Sequence, residues 1–553
     1  MKLKKLAALI LAASLAVSLL AGCSGKTPVS GSASGGSKDN LKLEEYKDVM
    51  QISGYLAGGP NSTGTKDNVT LKYLMDHFKL DLSEMTWPAG ENSEDKINMM
   101  VASEEMPDVI TYWTKPELFN KLADAGMLQP LDDLIAKYMP NFREYNSPEI
   151  LAKFCNPSDG KIYILPSFTV SPNKVSTNVH VNSVPVVRSD MLELTGMQAP
   201  KTTDELYNFL KAVKEKAGPD MIPISMFQYD PASFTVELLF GAMFGIKTFF
   251  SSSFDSPDAA SERMKHFFYE PEYAEMCKYL AKLYREGLLN PETFTASLDQ
   301  NKEKATQGRF AYTFVAPGWI KDWIDPAFAK MGLNASYFPT EMPHKAGISE
   351  ASKYWTYSPY GWSMSCISKS VSDPVRLAKF INWAYTRDGN AIMMHGAPSE
   401  TDNDWTMDAS GQWIYNKPVA DQMAAGTFTV QNGGWSYWIN LPGTEDSNNP
   451  PTAAKGAPPV FQFKTDALKA TAKHITTDLK MENYLTYGRG PVYNEKWADI
   501  KTLYDRWFAD IVLRSAADGD VDTKIASMIS ELENAGLVDV EKENYQNYLS
   551  ANK

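Results

Sequence analysis

Thirteen tryptophans in 553 residues, with aromatic side chains making up 12% of the chain, are the part of this sequence with the most binding chemistry to offer. An indole or phenol ring presents a flat apolar face to the CH-rich face of a sugar, while Asp, Glu, Asn, Gln and Arg nearby exchange paired hydrogen bonds with its hydroxyls. Placement matters as much as number. Tyr112 and Trp113 follow the apolar run that begins at Asp108-Val109-Ile110, Trp319 follows Pro317-Gly318, Trp355 lies close to Tyr357, and Trp435 and Trp438 stand in the cluster Gly433 to Trp438. Several lie beside Pro or Gly or at strand-like ends where loops overhang, and together these are the candidate stacking residues. Trp383, Trp497 and Trp507 fall inside helix-like segments and read as core.

Other chemistries are poorly signalled. Cys155, Cys277 and Cys366 show no CxxC or His spacing, so neither a disulfide framework nor a zinc site is expected. Asp402-Asn403-Asp404 has the alternation of a calcium loop, but Met407 stands where its glycine belongs and no suitably spaced Glu follows. No metal and no cofactor is expected. Arg489, between Gly488 and Gly490, reads as a surface turn or as a partner for the carboxylate of a uronate sugar. GxSxG and HExxH are absent. The alternative to binding is an extracellular carbohydrate-active enzyme, a hydrolase or lyase using two opposed carboxylates, which would share the aromatic surface and the acidity.

The first residues say where the chain works. Lys2, Lys4 and Lys5 precede an apolar run from Leu6 to Leu20 that is too short to span a bilayer. Leu20-Ala21-Gly22-Cys23 then resembles a bacterial lipobox. It implies removal of residues 1–22, lipidation of Cys23 with diacylglyceryl and palmitate-type acyl groups, and anchoring to the outer face of the cell membrane. Residues 23–40 are rich in Gly and Ser and read as a flexible linker. Without residues 1–22 the formal charge moves from −13 to −16, which argues against nucleic acid as a partner. What remains is too long for one hydrophobic core.

The elements that must position these residues alternate between strand and helix, the pattern of layered α/β domains. Thr202-Thr203-Asp204-Glu205 reads as a capping box, with Leu206, Phe209, Leu210 and Val213 on one helix face. Pro271 opens a second helix, with Cys277 on its inner stripe and Gly287 at its end, and Asp373-Pro374 opens a third. Residues 162–165 and 310–315 read as buried strands, and Asp408 to Gly411 as a hairpin turn. Two terminal helices are expected over 497–517 and 522–535.

In that order the segments resemble bacterial ABC-transporter solute-binding proteins, extracellular family 1, and in particular the lipoprotein subgroup known as LipO. The resemblance rests on residues 95–110 with their Pro-Asp strand, 125–133, Val187 to Leu192, Tyr284 to Glu292, Gly308 to Tyr312 with Gly318-Trp319, and 361–396. It implies a two-lobe periplasmic-binding-protein-like clamp of type II, each lobe α/β. One lobe would comprise 41–178 with about 366–435, the other 190–358 with about 460–553, and 179–189 and 359–365 would be hinge segments. Arg188 and Asp190, closing the first hinge strand, would contact ligand or, as an Arg–Asp pair, lock the hinge. The implied function is binding of an oligosaccharide or related sugar by a monomer that delivers it to an ABC permease, with no reaction catalysed.

Overall fold

The protein is described by a computed structural model covering residues 46–56, 69–86, 93–113, 115–167, 184–226, 233–246, 248–249, 255–315, 320–348, 355–356, 360–361, 363–395, 397, 405–407, 413–415, 475–476, 478, 480–481, 483–484 and 490–552. The chain divides into two compact units. The first takes Met1–Ser171, Pro359–Thr406 and Val430–Asn448; the second takes Pro172–Ser358, Met407–Thr429 and Asn449–Lys553. The principal strands are β1 (Met50–Leu56), β2 (Leu80–Thr86), β3 (Val109–Trp113), β4 (Ile164–Ser167), β5 (Val184–Arg188), β6 (Ile222–Met226), β7 (Phe310–Val315), β8 (Tyr337–Pro339) and β9 (Ser363–Ile367).

The first unit is built on a five-stranded sheet in the order β2-β1-β3-β9-β4. β1, β2 and β3 run parallel, whereas β9 runs antiparallel to both β3 and β4. Alternate side chains go to opposite faces and both faces are covered. Ile52, Val109, Leu165 and Ile367 join one apolar cluster, while Tyr55, Ile110, Tyr112, Ile164 and Cys366 join another. The Pro-Asp step before β3 has a structural task. Asp108 Oδ2 accepts from the backbone N–H and the hydroxyl of Ser53, each at 2.8 Å, where the β1 register slips between Gln51 and Ser53. Opposite, the helix Pro374–Ala384 opens with Asp373 accepting from the Arg376 N–H. Arg376 is 1% exposed; its guanidinium donates to the carbonyls of Asp48, Phe78 and Lys79 at 3.1, 2.7 and 2.5 Å and lies over the Tyr46 ring.

The second unit holds a four-stranded sheet, β8-β5-β7-β6, in which β7 is parallel to β6 and antiparallel to β5. The capping box at Thr202 and Glu205 is present, and the helix it opens, Thr203–Lys216, buries Leu206, Phe209, Leu210 and Val213. Pro271–Arg285 buries Tyr273, Met276, Cys277, Leu280 and Leu283, and Gly287 at φ 63° follows its end. The expected hairpin is represented by the paired strands Trp405–Met407 and Trp413–Tyr415; its turn lies outside the described residues.

Three terminal helices, Pro491–Arg514, Asp518–Asn534 and Leu537–Ala551, complete the second unit's core. The sequence reading found two. Its miss has a cause: the inner face of the last helix includes Glu541 and Asn544, which are buried, so no apolar stripe marks it. Glu541 reaches the Arg263 Nε at 2.6 Å, across 278 positions of sequence. Parts of the two expected hinge segments are described, each as a strand. Val184–Arg188 is an interior strand of the second unit's sheet, and Ser363–Ile367, which begins within the other hinge segment, is an interior strand of the first unit's. Both runs are wholly buried, as befits strands hydrogen-bonded on both sides.

Candidate functional site

In open α/β sheets ligands are received at the carboxyl ends of the parallel strands, where backbone turns outward and loops begin. In the first unit that edge gathers the ends of β1, β2 and β3 at Leu56, Thr86 and Trp113, the end of β4 at Ser167 and the start of β9 at Ser363. Trp113 pairs with Ser363, and Ser363 in turn with Ser167. Small hydroxyl side chains satisfy one another beneath it. Thr111 Oγ1 lies 2.7 Å from Ser365 Oγ, and the Ser167 hydroxyl donates to the Ser363 carbonyl at 2.5 Å. Tyr112, by the alternation of β3, is 7% exposed and packs in the cluster with Phe119 and Tyr163. Its ring therefore lies in the apolar layer beneath the edge.

The second unit has a corresponding edge. β6 ends at Met226 and β7 at Val315, and β5 begins there because Val184 pairs with Val315. Trp319 follows Val315 after Ala316, Pro317 and Gly318 and lies outside the described residues, as do Tyr357, Trp435, Trp438, Arg489, Asp402 to Asp404 and Cys23. Immediately beyond Trp319 the chain makes a π-helical turn, Ile320–Ile324, whose Ile320 and Ile324 are fully buried. Such turns recur at functional sites because they force a side chain out of helical register. Trp323 within it is half-buried, with the Lys302 ammonium 3.7 Å from its ring centroid. Sequence reasoning passed over Trp323, and the one local signal available was its nearness to Trp319.

Arg188 and Asp190 sit elsewhere. Arg188 ends β5, opposite the start of β8, so it lies at the far end of the sheet from Val184, roughly 13 Å away along an extended strand. Arg188 is 4% exposed. Its Nε and one terminal nitrogen donate to the two Asp190 oxygens at 2.6 and 2.8 Å, and its other terminal nitrogen donates to the Gly308 carbonyl. These contacts tie the end of β5 to the turn that leads into β7. Gly308 suits the place: it adopts φ 70°, and a Cβ there would come within 3.2 Å of the guanidinium.

Trp355 with Thr356 forms the middle strand of a small parallel sheet between Thr248–Phe249 and Ile475–Thr476. The three tryptophans assigned to the interior, Trp383, Trp497 and Trp507, pack against the apolar cores of their units. Among the described residues no group of three or more His, Cys, Asp or Glu side chains is arranged to hold a metal, and no helix is long and apolar enough to cross a membrane.

Residues 78–399 match the family described as bacterial extracellular solute-binding protein. Over 253 residues the chain is 28% identical to the fructooligosaccharide ABC transporter substrate-binding protein FusA of Streptococcus pneumoniae, the match covering 44% of each chain. Over 291 residues it is 26% identical to lipoprotein LipO of Bacillus subtilis, covering 50% of each, and over 300 residues 26% identical to the polygalacturonan/rhamnogalacturonan-binding protein YtcQ of the same organism, covering 53% of each. These matches span about half the length of the relatives. Among solved structures, an EF-hand mutant of S. pneumoniae FusA in complex with fructo-nystose superposes with a TM-score of 0.62 at 20% identity, over 91% of this chain and 100% of that one. The alginate-binding protein AlgQ2 without calcium gives a TM-score of 0.61 at 19% identity, over 91% and 98%. At such identities the likeness speaks for the fold, a mixed α/β one shared with periplasmic solute-binding proteins. A match over more than half the chain, with that fold beneath it, assigns this protein to the bacterial extracellular solute-binding protein family, whose members bind and do not catalyse.

Proposed function

We propose that this protein is the lipid-anchored, extracytoplasmic receptor of an ABC importer, and that it captures an oligosaccharide or related sugar and hands it on intact. Family membership carries the reading, and the aromatic residues at the carboxyl edges supply its chemistry. Trp113 ends β3 at one such edge, and in sequence Trp319 comes four residues after the end of β7. Indole faces there would stack on sugar rings, with Trp355, Tyr357, Trp435 and Trp438 as further contacts and polar side chains of the intervening segments meeting the hydroxyls. Arg188 and Asp190 are left out, because their hydrogen bonds are spent on each other and on Gly308. FusA and YtcQ, named for a fructooligosaccharide and for pectic polysaccharides, point to carbohydrate as the ligand class.

Cys23 supports the anchor, since a thioether-linked lipid on it would hold the receptor close to its permease and raise its effective concentration there. The test is calorimetric titration of the mature protein with fructans, pectic fragments and host-type glycans, while the same mixtures are assayed for new reducing ends. Heat with intact sugar is the expected outcome; cleavage would establish the hydrolase or lyase alternative. Trp319→Ala should weaken binding of the best ligand by about 1–3 kcal/mol, the worth of one ring-on-aromatic stack. Unchanged affinity would remove Trp319 from the site.

A further inference from the structure

The helix Ser233–Met243 carries Glu237 into the interior of the second unit, where it is 1% exposed. Its Oε1 accepts hydrogen bonds from two phenols: Tyr504, on Pro491–Arg514, and Tyr273, on Pro271–Arg285, the latter at 3.4 Å. The phenolic oxygens are 3.3 Å from each other. Oε2 is buried with no hydrogen-bond partner among the described residues. Among the described residues, the titratable groups facing Glu237 are Tyr273 and the buried Cys277 from one helix, and Tyr504, Asp505 and Lys501 from the other. Lys501 pairs with Asp505 at 2.5 Å, so together they bring no net positive charge. Thr248–Phe249, which also packs against the Glu237 helix, brings no titratable side chain.

A carboxylate in that position would be stripped of water and unpaired, whereas a carboxylic acid is neutral and at home beside phenols. Burial first, and Asp505 second, hold the Glu237 carboxyl well above the usual carboxylate range. Burial likewise pushes Tyr273 and Cys277 up, so neither surrenders a proton in its place.

We propose that Glu237 is a proton-held latch, joining three helices of the second unit as a neutral acid and loosening them when alkaline conditions remove its proton. The sign follows from linkage. A folded-state pKa above the unfolded value means that the stability contributed by this proton is whole below the ordinary Glu range, and is lost as pH rises toward and through the folded value. Phe268 stacks on His266, and Tyr504 packs against both, so loosening would spread to the hairpin that carries His266.

The full-length chain and its Glu237→Gln variant, which keeps the shape and cannot ionise, are compared by thermal unfolding from about pH 5 to about pH 9. The midpoint of the variant relative to wild type is expected to climb with pH, by on the order of 3–10 °C across that range. A gap that stays flat overturns the proposal. Infrared difference spectra give a second reading independent of stability. At neutral pH wild type should show the carbonyl stretch of a buried protonated carboxyl that Glu237→Asp shifts and Glu237→Gln abolishes; its absence from wild type also overturns the latch.

Discussion

The two units bury cationic side chains to a similar depth and neutralise them in different ways. In the first, the Arg376 guanidinium donates to three backbone carbonyls, with the face of Tyr46 beside it, and the one carboxylate Arg376 bonds, Asp373, is held by its backbone N–H. In the second, Arg188 grips Asp190 bidentately and adds one carbonyl. The difference concerns what each guanidinium holds together. Carbonyls of Asp48, Phe78 and Lys79 belong to the chain's entry into β1 and to the turn between a helix and β2, so Arg376 fastens two stretches of backbone through their carbonyls. Arg188 fastens one turn and relies on a carboxylate two residues away, itself partly open to water. Glu237 adds a third solution, which an arginine cannot use: it sheds its charge by keeping its proton.

That contrast can be broken by mutation. Arg376→Ala should cost the most, about 3–5 kcal/mol in urea unfolding of the full chain, because three carbonyls lose a shared donor and a large side chain leaves a void. A cost below about 1 kcal/mol would mean that water replaces the guanidinium and that the backbone clamp is no clamp. Arg188→Ala should cost less, about 2–3 kcal/mol by the same measurement, since the stranded Asp190 side chain is 25% exposed and can turn to solvent. Asp190→Asn should cost least, about 1–2 kcal/mol, as one acceptor remains while the charge is lost. If Asp190→Asn proved as damaging as Arg188→Ala, the Gly308 contact would count for nothing and the two units would differ less than their hydrogen bonds indicate. None of these three changes should move sugar affinity by more than about twofold, provided that fold is retained, because none lies at a carboxyl edge.

Much of this was legible beforehand where the forces are local. The Thr202–Glu205 capping box, the Pro271 and Pro374 helix starts and the run Phe310–Val315 occur where their residues implied, since a cap, a fixed φ or an apolar stripe acts within a few positions. Position relative to the sheet was legible too, for Trp113: an apolar run closed by an aromatic became the last residue of β3. Burial of Tyr112 was not legible in that way, because both faces of β3 are covered and Val109, Ile110 and Thr111 are buried as well. The role of Arg188 was not legible, because its lock depends on the Gly308 carbonyl, 120 positions away.

By itself, the amino-acid order determined the layered α/β character, the individual helices with apolar stripes and the ordered motifs of a solute-binding family. Tertiary structure alone decided that β5 and β9 are interior strands, that the last helix turns Glu541 inward to Arg263, that Arg188 reaches Gly308 and that Glu237 is buried against two phenols. The physical reason is one of range. Periodicity and capping are read from neighbours along the chain, whereas the cost of burying a charge depends on which distant groups surround it, and folding alone brings them together.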